Sequence, residues 1–158
     1  MKKKLGIAVL ALFAFAFAAS AQPRAFGLRF ASGLEISYQH NLGSTHQGAN
    51  YLEFDAGVMG FTNYPGYRLS AIYDFTILRF PMLGGNFNMA IGPGLTLGMY
   101  DKSKFMGGVV VQYAVGYEFG SLPLSIGIDT RPCFVFTADG ATMSFKELVP
   151  MASLRWSF

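Results

Sequence analysis

Two histidines, one cysteine and one close carboxylate pair are the residues of this chain whose types could support chemistry. Acyl transfer through a hydroxyl nucleophile needs an imidazole within hydrogen-bond reach and an acid to orient it. His46 has Ser44 and Thr45 beside it, but the three share one short turn without an acid, and no His-x-Ser occurs. His40 falls on the outward phase of a strand, where it reads as an interfacial side chain. Glu53 and Asp55 are two residues apart, which on a strand puts both on one face. Such a pair could ligate calcium or share a proton, yet Arg29, Arg68 or Arg155 could neutralise it, which favours a structural ion network. Gly92-Pro93-Gly94 lacks the Lys, the Ser/Thr and the following helix of a phosphate loop; Pro93, having no N–H, predicts a local bulge. Cys133 is the only cysteine, so no intramolecular disulfide is possible, and it reads as a small buried hydrophobe. No catalytic residue, cofactor-binding residue or metal ligand is assigned, and the chain is not expected to be an enzyme.

The elements that carry these residues follow from an export signal and a period-two pattern. Lys2, Lys3 and Lys4 precede an apolar run from Leu5 to about Ala19, and Ala19-Ser20-Ala21 is a small-x-small cleavage site. Residues 1–21 are therefore expected to be a signal peptide cleaved after Ala21, leaving residues 22–158 as one domain. The formal charge of +3 resides in the three leader lysines, so the mature chain is balanced. A neutral chain with 13% charged residues has no electrostatic footprint for nucleic acid. With 52% hydrophobic residues and 19 glycines it is too apolar for disorder and too interrupted for a membrane helix.

Beyond Gln22 strict alternation recurs at intervals of about ten to sixteen residues, the signature of strands. Eight are expected: 26–31, 34–41, 52–58, 67–77, 87–99, 108–119, 124–131 and 151–158. Phe26, Leu28 and Phe30 share their phase with Leu34, Ile36 and Tyr38. A three-residue loop Ala31-Ser32-Gly33 with Gly33 left-handed explains that phase; one long bulged strand, giving seven in all, would do so equally.

The two faces of these strands differ in kind. One carries Phe, Leu, Ile, Val and Tyr and no charge. The other carries Gly, Ala, Ser and Thr with Arg29, Glu35, Glu53, Asp55, Arg68, Asp74, Glu118, Asp129, Arg131 and Arg155. Small residues interspersed with charge describe a crowded interior rather than a wet surface. An Arg or Lys facing the bilayer midplane costs about 2–4 kcal/mol, so a charge-free face is what lipid requires, while opposite charges inside can pair. The expected fold is all-β: an eight-stranded antiparallel up-and-down transmembrane β-barrel whose closure leaves no sheet edge. At eight strands the interior is filled by side chains. A lipocalin-like soluble barrel is the competing architecture.

Aromatic residues orient this barrel. With a periplasmic N-terminus, Phe26, Tyr38, Phe75, Phe87, Tyr117, Phe119, Trp156 and Phe158 form an interface girdle at the periplasmic rim. Phe30, Tyr67, Tyr100 and Phe105 mark a thinner opposite rim. The periplasmic segments 43–49 and 78–85 are longer in this reading than bacterial barrels usually have. Residues 134–147 form the longest extracellular loop, and Phe134, Phe136, Met143 and Phe145 make it the candidate contact surface.

The closing residues Leu154-Arg155-Trp156-Ser157-Phe158 resemble the C-terminal strand of Gram-negative outer-membrane β-barrel proteins, which alternates apolar residues and ends in Phe. Leu34-Glu35-Ile36-Ser37-Tyr38-Gln39-His40, Ile91-Gly92-Pro93-Gly94 and Asp129-Thr130-Arg131-Pro132 look like segments of small barrels from Bacteroides-type envelopes, similar in size to OmpA/OmpX-type barrels. The resemblance implies outer-membrane lipid as surroundings and insertion by the barrel-assembly machinery through the last strand; it implies no cofactor and carries no known activity. The expected role is a structural, adhesive or complex-forming envelope component, alone or within a larger outer-membrane assembly. A narrow, porin-like channel or small-solute carrier, and a lipid- or peptide-modifying enzyme, stand as alternatives.

Overall fold

The computed structural model describes residues 24–31, 33–45, 48–59, 65–100, 104–137, 140–144 and 149–158. The leader reading at 1–21, the turn with His46, and Phe145 lie outside the described residues. Every described element is a strand: β1 (Arg24–Phe30), β2 (Gly33–Thr45), β3 (Gly48–Met59), β4 (Gly66–Met82), β5 (Gly85–Tyr100), β6 (Lys104–Phe119), β7 (Leu124–Thr130), β8 (Cys133–Thr137), β9 (Gly140–Ser144) and β10 (Met151–Ser157).

These ten strands make eight staves. β1 to β7 pair antiparallel in chain order, and β10 closes the ring by pairing with both β7 and β1. β8 prolongs β7 along the same neighbour β6: Thr130 stands opposite Tyr113 and Cys133 opposite Val110, so three steps on one strand match three on the other. The interruption is local to Pro132, which has no N–H to give the ladder, although its carbonyl still accepts from Val111 N at 3.1 Å. The expected eight-stranded antiparallel barrel, rather than seven strands, is what the chain forms. Phe30 pairs with Leu34 as the hairpin reading requires.

Arg24 and Phe158, the first and last described residues, meet at one rim, called here the terminal rim, where Arg24 N donates to Phe158 O at 3.0 Å and Phe158 N to Arg24 O at 2.8 Å. Three expectations are corrected, the first of them at this rim. The segments expected to be long connections at this rim are strand: β2 runs to Thr45 with β3 resuming at Gly48, and β4 runs to Met82 with β5 starting at Gly85. The Leu83-Gly84 turn has φ of 50° and 78°, positive at both central residues, as two-residue hairpins favour because it matches strand twist. The bulge expected at Pro93 is instead at Ile77, between the pairs Thr76–Ala90 and Leu78–Met89. Pro93 leaves the register unshifted and removes only the pairs between Ile72–Gly94 and Phe75–Ile91. Gly33 is not among the glycines with positive φ.

At the far rim, the expected loop 134–147 contains the β8–β9 hairpin. Phe134 and Phe136 lie on its outer face, with ring centroids 5.1 Å apart, and Met143 pairs with Phe134 across the ladder. Two of the candidate loop contacts therefore extend the apolar wall. Met151 stands opposite Asp129 and Ser144 opposite Cys133, so β9 and β10 share the eighth stave beside β8 and β7.

Candidate functional site: the barrel interior

Strand alternation divides the side chains as their chemistry demands. Phe26, Leu28, Phe30, Leu34, Ile36, Leu69, Leu95, Leu97, Val109, Ile128 and Trp156 are exposed on the outer face, Leu95 at 62%. Arg29, Glu35, Ser37, Glu53, Asp55, Arg68, Asp74, Gln112, Asp129, Arg131 and Arg155 are buried inside. A soluble domain would show the reverse partition.

Glu53 and Arg29, each with 0% exposure, stand at the centre of the interior network. Glu53 Oε1 accepts from Arg131 Nη2 at 2.7 Å and from Arg155 Nη2 at 2.9 Å, while Oε2 accepts from Gln39 Nε2 at 2.6 Å. Arg29 bridges Glu35 and Asp129, with Asp55 at 3.6 Å. Arg68 donates to Glu35 Oε1 through Nε at 3.0 Å and Nη2 at 2.8 Å. Arg131 also donates to Asp55 Oδ2 at 2.6 Å and to Gln112 Oε1. Arg155 completes its donors on Ser37 Oγ at 3.1 Å and Ser153 Oγ at 2.8 Å. Each arginine thus holds two or more of its donors on acceptors, which is the condition under which buried charge is tolerated.

Of the ten charges expected to form one network, the structure brings eight together directly. Asp74 joins only through Gln112, whose Nε2 donates to Asp74 Oδ2 at 2.9 Å. Glu118 does not join: it lies at the terminal rim, accepting from Arg79 Nη2 at 2.5 Å and from Asn88 Nδ2 at 2.9 Å. Arg79 escapes simple alternation because the bulge at Ile77 shifts the phase of everything after it. Gln39, Ser37 and Gln112 were legible only as inward-phase polar residues; nothing in sequence says that an amide will bridge an arginine to a carboxylate.

On either side of the ionic layer the interior changes character. Towards the far rim, Ile72, Tyr100, Met106, Val110, Cys133 and Val135 form a buried apolar cluster. Tyr100, expected at the outer rim, is therefore inside, with Lys104 Nζ 5.8 Å from its ring centroid. Towards the terminal rim a cavity of about 420 Å³ opens, lined by Gln39, Asn41, Tyr51, Thr76 and Asn88 and reaching inward to Glu53, Asp74 and Arg155.

The girdle residues stand on the outer face at the terminal end. Phe26, Phe75, Trp156 and Phe158 are exposed there, and Tyr38, Phe87, Tyr117 and Phe119 half-buried. Tyr117 OH donates to the carbonyls of Met82 and Leu83 at 3.0 Å, and its ring meets Phe119 edge-on at 5.0 Å. His40 shares a hydrogen bond with Tyr38 OH at 3.3 Å, so its ring is engaged at the wall. Among the described residues, no group of three His, Cys, Asp or Glu is placed to hold a metal ion. No protein-family model, curated protein or solved structure matches the chain.

Proposed function

We propose that this protein is an integral outer-membrane barrel with a filled interior, serving as a structural, adhesive or complex-forming component of a Gram-negative envelope. The observation that carries this reading is the inverted partition: a continuous exposed apolar wall surrounding a buried network of nine charges. Water would destabilise such a wall and lipid would not. The aromatic residues at the terminal end suit a membrane interface, and the two-residue turn at Leu83-Gly84 suits the periplasmic side. In this reading the C-terminal strand β10 addresses the barrel-assembly machinery, and outer-membrane lipid or a larger envelope complex is the partner.

A filled interior is favoured over a channel because a water path would have to pass Arg29, Arg68, Arg131 and Arg155, all buried and engaged, and then the apolar cluster from Ile72 to Val135. The test is to express the full precursor in a Gram-negative host, isolate outer membranes, and compare boiled with unboiled samples on a detergent gel. A heat-shifted band in that fraction is expected. A soluble periplasmic product with no heat shift would overturn membrane residence, and stable currents across planar bilayers would overturn the filled interior. Leu95→Arg, on the exposed wall, should cost about 2–4 kcal/mol of stability in lipid; an unchanged urea midpoint in vesicles would count against a lipid-facing wall.

A further inference from the structure

Seven of the eight seams between neighbouring staves are joined by the chain itself, each stave running into the next. The exception is the seam between β1 and β10, which closes the ring between distant parts of the chain. No hairpin has lowered the loop-closure entropy of that contact. Both strands are short, seven residues each against sixteen in β5 and β6. A parted seam would leave two rows of unmatched N–H and C=O groups. Two arginines cross it on the inner side, in opposite directions. Arg29 stands on β1 opposite Ser153 of β10 and reaches past β10 to β7, where its Nε donates to Asp129 Oδ2 at 3.1 Å. Arg155 stands on β10 opposite Gly27 of β1 and passes over β1 to β2 and β3. There Nε donates to Ser37 Oγ at 3.1 Å and Nη2 to Glu53 Oε1 at 2.9 Å. The residues passed over are small, and a Cβ at Gly27 would stand 2.8 Å from Arg155 Cγ. Neither arginine is the sole cation beside the acids it holds: Asp129 has Arg131 at 3.4 Å, Glu35 has Arg68 at 2.8 Å and Glu53 has Arg131 at 2.7 Å.

We propose that Arg29 and Arg155 form a two-way clasp that holds the ring shut at the β1–β10 seam, and that this seam is the line along which the barrel opens. Charge-assisted hydrogen bonds are the strongest that side chains make, and here they tie each seam strand to the far neighbour of the other. Bridges over one strand occur elsewhere, as from Arg68 across β3 to Glu35, but there chain turns already join the staves on both sides. The inference concerns closure of the ring and does not rest on membrane residence.

The test is amide hydrogen exchange of the purified full chain in detergent micelles, read by peptide mass spectrometry on β1 and β10 against β5 and β6. Arg29→Met and Arg155→Met should each speed exchange in β1 and β10 about tenfold or more over β5 and β6. Arg68→Met, which removes a comparable bridge across β3, should not favour the seam. A disulfide between Leu28→Cys and Leu154→Cys, which face each other across the seam, should restore protection in Arg155→Met. One between Leu95→Cys and Val109→Cys, which face each other across β5 and β6, should not. Directly opposed residues of antiparallel strands lie about 4.5–5.5 Å apart, within disulfide reach. Equal acceleration in all four strands, no acceleration at the seam, the same seam opening in Arg68→Met, or equal restoration by the β5–β6 disulfide would overturn the proposal. Should the methionine variants fail to fold, the parent decides: in urea below the midpoint β1 and β10 should exchange first, and the seam disulfide alone should suppress that exchange. Simultaneous exchange of all four strands, or suppression by either disulfide alike, overturns it.

Discussion

The two halves of the barrel interior solve the same packing problem with opposite chemistry. Towards the far rim, Ile72, Tyr100, Met106, Val110, Cys133 and Val135 fill the space as an ordinary hydrophobic core does. Across the ionic layer, the half that opens at the terminal rim is built from arginines, carboxylates and amides around a cavity. The apolar half is held by close packing, which is non-directional and yields when volume is lost. The ionic half is held by directional bonds between groups that cannot be left alone once buried. The difference teaches where the molecule can be modified: the apolar half tolerates shape-preserving exchange, the ionic half tolerates very little, and the cavity beyond it has room to change.

The comparison can be broken most forcefully at Glu53. Glu53→Ala leaves Arg155 without a carboxylate, takes one of the two that Arg131 holds and removes the acceptor of Gln39, and a loss of about 3–5 kcal/mol is expected because uncompensated buried charge remains. The urea midpoint of the refolded barrel measures it, and a loss under 1 kcal/mol would mean that the network is incidental. In the apolar half, Met106→Ala leaves a cavity at a residue 1% exposed, with an expected loss of about 2–4 kcal/mol. Met106→Leu should fall within about 1.5 kcal/mol of the parent, an exchange for which the ionic half has no counterpart.

Smaller effects sharpen the contrast. Asp74→Asn keeps the Gln112 contact but removes a charge that no arginine pairs with, so unlike Glu53→Ala it should raise stability, by about 1 kcal/mol; a lowered midpoint would place Asp74 among the required acids. Arg79→Ala breaks the pair with Glu118 at the rim, where the two side chains are 36% and 30% exposed. Solvent screens such pairs, so a change below about 1 kcal/mol is expected, shrinking further in high salt. A change as large as that of Glu53→Ala would show that the rim belongs to the ionic half after all.

Legibility in sequence followed the same division. The strands were readable because a side chain on a strand must point to one of two faces, so Phe26-Leu28-Phe30 against Gly27-Arg29-Ala31 declares both a strand and its outside. Alternation also placed Arg29, Glu53, Asp55, Arg131 and Arg155 on one face. It could not say which would meet, because Arg29 and Asp129 are 100 residues apart and touch only when the ring closes through β10 and β1. Nor could it separate Glu118 from the network, since height along the barrel depends on strand stagger. Tyr100 was misplaced by its nearness to a chain turn, and the contact loop dissolved into β8 and β9 because the ladder to β6 continues past Pro132.

What the sequence determined alone was the all-β class and the sorting of side chains onto a charge-free face and a small, charged one, because period-two patterning is local and survives without knowledge of neighbours; eight staves rather than seven followed only from the pairing of β1 with β2. Only the tertiary structure decided that the interior divides into an apolar cluster, an ionic layer and an open cavity, that Gln112 joins Arg131 to Asp74, and that Asp74, of the five interior acids described, is the one without an arginine ion pair. Those facts depend on closure and register, which bring residues from distant staves to the same height, and no local pattern encodes that height.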